Sequence, residues 1–127
     1  MRNYKQLVQL YSEYRNRGFE IIAFPCNQFA NGEQGSNQSI TKFARDKLGA
    51  EFQLMSKVDV NGPDTHPVYQ YLRSNSELYD TKKKMAGNVP WNFTKFLVVE
   101  DNGNEKIIYF NPRVDPLTLR EQIEKHI

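Results

Sequence analysis

Residues 18–37 read GFEIIAFPCNQFANGEQGSN. Phe19, Ile21, Ile22, Ala23 and Phe24 form a nearly continuous apolar run with β-branched members. Such a run suits a strand over 19–24 covered on both faces, as in a parallel sheet between helices. Pro25 ends the ladder because it has no N–H to donate. The residues beyond it are polar and glycine-bearing: Asn27, Gln28, Asn31, Gly32, Glu33, Gln34 and Gly35. Open α/β sheets place their chemistry in the crevice at the carboxyl ends of the strands. This loop is therefore the first place to look for function.

On the N-terminal side, Leu7, Leu10, Tyr11 and Tyr14 recur at three- and four-residue spacing and predict a helix over 3–17 with one apolar face. Gly18 can end it with a positive φ. On the C-terminal side, Ile40, Phe43, Ala44 and Leu48 predict a second helix over 37–48, with Ser36 or Asn37 as its N-cap. Residues 52–60 hold a short extended piece, and Asn61-Gly62-Pro63 signals a turn. A short helix is expected over 66–74 with Val68, Tyr71 and Leu72 inward, then a loop over 75–90. Thr94–Val99 and Lys106–Phe110 read as a hairpin. Asp115-Pro116 starts a last helix, lined by Leu117, Leu119, Ile123 and Ile127.

Composition excludes several classes. At 127 residues the chain is one domain at most, 1–127. Its 17 basic and 15 acidic side chains leave a net charge of +2, no electrostatic case for nucleic acid. Lys82-Lys83-Lys84 reads as a solvated loop. No apolar run approaches the ~20 residues that span a bilayer, and no leader pattern is visible before the first helix. The single cysteine allows no intrachain disulfide. His66 and His126 lack metal-ligand spacing and a third partner, so no metal is expected.

Four stretches carry a family resemblance: Phe24-Pro25-Cys26-Asn27-Gln28-Phe29 with Gly35-Ser36-Asn37, then Val58-Asp59-Val60-Asn61-Gly62, His66-Pro67-Val68-Tyr69, and Trp91-Asn92-Phe93-Thr94-Lys95-Phe96. In this order they resemble the glutathione peroxidases, over essentially the whole chain. The resemblance implies a thioredoxin-like α/β fold, a mixed sheet flanked by helices. It also implies reduction of hydrogen peroxide or organic and lipid hydroperoxides, with glutathione or another thiol as reductant and no cofactor. The family carries one more strand, central in the sheet, before the first helix. Its peroxidatic cysteine or selenocysteine follows that strand, at a position that falls a few residues before Met1. The chain is thus expected to lack the central strand and the nucleophile, either as a partial chain or as one started after a selenocysteine codon read as a stop.

A thiolate or selenolate nucleophile needs polar N–H donors to steady the anion. An indole N–H and a carboxamide are such donors and do not titrate near neutrality. By resemblance, Trp91 and Asn92 are the family's Trp and Asn donors; a core aromatic is the plainer reading of Trp91. The family's third donor, a Gln, aligns with Gly32, which has no side chain. Gln34, where the family has Pro, is one substitute and Asn31 another; the remaining reading is that the donor is lost. Cys26 does not match the peroxidatic position, and unpaired cysteines are commonly buried and inert. Arg45 stands where thioredoxin-dependent members have a resolving cysteine, which points to an external thiol. Residues 75–90 look like the short form of monomeric members. The cytoplasm is the expected compartment, with any targeting segment lying upstream. The rival reading is a non-catalytic thioredoxin-like binding or regulatory module.

Overall fold

The computed structural model describes residues 2–30 and 35–127. Helix α1 (Arg2–Tyr14) runs into a 3-10 turn over Arg15–Arg17, and Gly18 at φ 86° stops it. Strand β1 (Ile22–Ala23) follows, then α2 (Asn37–Asp46), β2 (Gln53–Leu54), α3 (Pro67–Ser74), β3 (Tyr79–Asp80), β4 (Met85–Ala86), β5 (Lys95–Asp101) and β6 (Asn104–Phe110). A 3-10 turn over Pro116–Leu119 leads into α4 (Arg120–Glu124).

The strands form three pairs: β1 with β2 in parallel, β3 with β4 antiparallel, and β5 with β6 antiparallel. The long hairpin turns at Asn102 (φ 53°) and Gly103 (φ 81°). Two positive φ values at an Asn-Gly pair match the right-handed twist of the flanking strands. Among the described residues β1 and the β5–β6 hairpin share no ladder.

Helix α1 distributes its apolar face between two clusters. Leu10 and Tyr14 pack with Leu119 and Ile123 of the C-terminal turn and α4, with Leu97 and Phe110 of the hairpin alongside. Leu7 and Tyr11 instead flank Ala44, Ala50 and Phe52, joined by Ile21 and Leu54. Phe52 is fully buried, a burial that contributes about 1.5–3 kcal/mol. Arg45 braces this cluster: its Nη1 donates to the carbonyls of Ala50 (2.6 Å) and Phe52 (2.7 Å). A third cluster, Cys26, Phe29, Val60 and Val89, lies beneath the loops that follow β1 and precede β5.

Several expectations are corrected. The strand at 19–24 shrinks to two paired residues, and Ile22 is exposed because nothing among the described residues packs on that face. Phe43 is exposed; Ile40 and Ala44 alone bury α2. In α3, Val68 and Tyr71 are exposed, while Tyr69 packs its ring on Phe24 and Phe96 and Leu72 is buried. The buried face is thus rotated by one residue, about 100° of helix. Residues 75–90 contain the small β3–β4 ladder. Ile127 is exposed beyond the end of α4. No helix among the described residues is long and apolar enough to cross a membrane.

Candidate active site

Trp91 and Asn92 stand together in the tight turn that enters β5. Phe93, next in line, adopts φ 61°, a left-handed conformation that bulky residues avoid unless their surroundings impose it. Three contacts impose it here. Thr94 Oγ1 donates to the Trp91 carbonyl (2.7 Å), Lys95 Nζ donates to the Phe93 carbonyl (2.7 Å), and the ring of Tyr4 meets that of Phe93 edge-on at 5.5 Å. Burial pulls the Lys95 ammonium down to about 8, with nearby Asp115 opposing.

The turn forms one wall of an open cleft of about 810 Å3, whose other walls include Asn3, Tyr109 and Arg113. Trp91 is 50% exposed and leans on Phe29, ring centres 5.5 Å apart. Its indole N–H and the Asn92 carboxamide make no hydrogen bond to another described residue, so both are free to donate to an anion or peroxide oxygen. The structure thus brings the two expected donors to one cleft.

The thiol is elsewhere. Cys26 is buried in the cluster under the loops and does not line the cleft. Its Sγ donates to Gln28 Oε1 (3.4 Å) and accepts the Gln28 backbone N–H (3.5 Å). Burial, with a contribution from Cys26, pushes the neighbouring Tyr69 hydroxyl up to about 12. Asn31, Gly32 and Gln34, the candidates at the third donor position, lie outside the described residues. Among the described residues no three His, Cys, Asp or Glu side chains group as metal ligands would.

Sequence reasoning passed over Gln28, Asn61 and Arg73. Gln28 and Asn61 tie three loops together by hydrogen bonds. Arg73 donates to the carbonyls of Gly87 (2.9 Å) and Val60 (3.3 Å) and to Asn88 Oδ1 (3.2 Å). Gln28 and Asn61 stand inside the quoted motif stretches with no role assigned to them, and Arg73 is a polar position on the helix expected over 66–74.

Comparison with known proteins identifies the family. The family model described as Glutathione peroxidase matches residues 1–73. A "Glutathione peroxidase" from Lactococcus lactis is 38% identical over 122 residues, 96% of this chain and 73% of that protein. "Phospholipid hydroperoxide glutathione peroxidase 1, chloroplastic" from Arabidopsis thaliana is 42% identical, over 97% of this chain and 49% of its own length. The chain spans about half the length of several curated relatives it matches. The solved structure titled "Crystal structure of Trgpx in apo form" superposes with a TM-score of 0.67 at 28% identity, covering 97% of this chain and 69% of that one. The fold is accordingly thioredoxin-like α/β, and the chain belongs to the glutathione peroxidase family.

Proposed function

We propose that the protein to which this chain belongs reduces hydroperoxides at the expense of a thiol: one ROOH and two thiols give ROH, water and a disulfide. The observation that carries the reading is the pairing of Trp91 and Asn92, both uncommitted donors, on one open cleft. Their part is to hold the nucleophile's anion and the departing peroxide oxygen while the O–O bond breaks. The nucleophile is a cysteine or selenocysteine outside these residues, because the one thiol present is buried away from the cleft. Glutathione or another small thiol, or a thiol protein, serves as external reductant, since Arg45 fills the resolving-cysteine position with a structural task. No cofactor or metal enters this scheme.

The test is a coupled assay with hydrogen peroxide and a lipid hydroperoxide on the whole protein. Trp91→Phe and Asn92→Ala should each lower kcat/KM by roughly 10²-fold, the usual cost of a lost oxyanion donor. Parent rates in both variants would overturn the assignment. On the 127-residue chain itself, turnover should not exceed that of a Cys26→Ser control, and Cys26-dependent turnover would refute the exclusion of that thiol.

A second reading, a non-catalytic binding or regulatory module, draws on the same burial of Cys26 and on Gly32 at the donor position. A peroxidatic codon in the reading frame upstream of Met1 decides for the enzyme. The working assembly is a monomer, to be checked by sedimentation. The cytoplasm is the working compartment, although relatives named chloroplastic make fractionation against organelle markers the deciding measurement.

A further inference from the structure

We propose that Gln28 and Asn61 form a side-chain clasp that sets where Trp91 and Asn92 stand, and so act as positioning residues for the donor pair. The consequence for peroxide chemistry rests on the function proposed above; the geometry does not.

Each carboxamide uses both of its ends. Gln28 Oε1 accepts the backbone N–H groups of Val60 (2.8 Å) and Asn61 (3.1 Å), and its Nε2 donates to the Asn61 carbonyl (2.8 Å). Asn61 in turn treats Val89 as a strand neighbour would. Its Nδ2 donates to the Val89 carbonyl (2.9 Å), and its Oδ1 accepts the Val89 N–H (2.8 Å). A residue that served only its own turn would bond within residues 60–65. Asn61 reaches instead to a residue 28 positions on, and Gln28 to one 33 positions on.

The two ends of the clasp carry the two rings that meet at the cleft. Phe29 follows Gln28 directly. Val89, 4% exposed, is joined to Trp91 through Pro90 alone, whose ring fixes its own φ. A closed circuit results: Gln28 to Asn61, Asn61 to Val89, Val89 through Pro90 to Trp91, and Trp91 by ring contact to Phe29. Arg73 pins residues 86–88 from the other side, so the segment before Trp91 has little freedom except through the clasp. Without Asn61 the buried Val89 N–H and carbonyl lose their partners, and the segment must move toward water to recover them.

The chain holds one tryptophan, so its fluorescence reports on this residue alone, whether or not the protein reduces peroxides. Failure of the clasp and failure of the peroxidase reading are therefore separate results. Acrylamide quenching and emission maximum are compared for the parent, Asn61→Ala, Asn61→Asp and Gln28→Ala, with folding checked by far-UV circular dichroism. Ile123→Val serves as a destabilised control remote from the clasp. Because Trp91 is already 50% exposed, release from its wall raises quenching by at most about twofold. The expected result is a rise toward that limit and a red shift in Asn61→Ala and Gln28→Ala. Asn61→Asp should fall between, since it keeps the acceptor for the Val89 N–H and loses the donor to its carbonyl. The control should stay at the parent value. Parent-like quenching in folded Asn61→Ala overturns the proposal, and so does an equal rise in the control. If Asn61→Ala does not fold, Gln28→Glu, which keeps the acceptor and loses the Nε2 donor, decides by the same criterion.

Discussion

The indole of Trp91 and the ring of Phe29 meet at 5.5 Å with their planes 45° apart, one ring half in water and the other buried. A donor on an exposed ring needs a fixed backing to keep its N–H aimed. Phe29→Leu keeps most of the buried volume and removes the flat wall. It should cost about 1 kcal/mol of stability and shift Trp91 emission to the red. Thermal melting and fluorescence read the two effects separately; unchanged emission would show that Phe29 does not back the indole.

Tyr14 ties the first helix to the last. Its ring is buried against Leu119 and Ile123, and its hydroxyl donates to Glu124 Oε1 at 2.6 Å. Tyr14→Phe keeps the ring and loses the bond, a change expected to lower the unfolding free energy by about 1 kcal/mol. Urea denaturation checks it, and Glu124→Gln in the same background should add little further loss.

Lys95 gives the protein a pH dependence of known sign. Its folded value, about 8, lies below the ordinary 10.5 because burial disfavours the ammonium. Between those two pH values the unfolded chain binds more protons than the folded one, so stability rises with pH across the window. Below it the ammonium is present in both states and the burial penalty is felt in full. The stability of the parent relative to Lys95→Met should therefore climb from about pH 8 to about pH 10.5 and be flat below pH 7. A flat difference throughout would mean the ammonium is not desolvated. Taking the difference cancels the tyrosines, among them Tyr69, whose raised value acts in the opposite sense.

Ile22 and Val98 are exposed at 56% and 50%, each on a strand paired on only one side among the described residues. Unpaired edges with apolar side chains invite another chain. The 127-residue chain should self-associate as its concentration rises, and Ile22→Lys with Val98→Lys should suppress this by charging the edges. Sedimentation across a concentration series tests it. Association unaffected by the two lysines would place the contact elsewhere.

The parts legible in the sequence are those written in short-range rules. Gly18 after an amphipathic stretch, Ser36 as a cap accepting the Ser39 N–H, and Asn102-Gly103 between two β-branched runs each specify a local conformation, and each is found there. The burial of α3 was misjudged because a helix of two turns offers two apolar stripes one residue apart. The choice between them was made by Phe24 and Phe96, residues far away in the chain. The placement of Trp91 and Asn92 on one cleft followed from a motif, whereas Gln28 and Asn61 were invisible as a pair. A carboxamide in a loop has no period, and its partner becomes known only when the chain has folded.

Arg45 holds the carbonyls of Ala50 and Phe52, two residues with almost no contact with water. A cysteine at that position would leave both oxygens without a donor, at about 1–3 kcal/mol for each. If the reductant is the external thiol proposed above, a lineage that exchanged it for an internal thiol would have to find these carbonyls a new partner first, or pass through a less stable ancestor. On that proposal, the choice of electron source would be inherited through a side chain that has no place in the electron transfer itself.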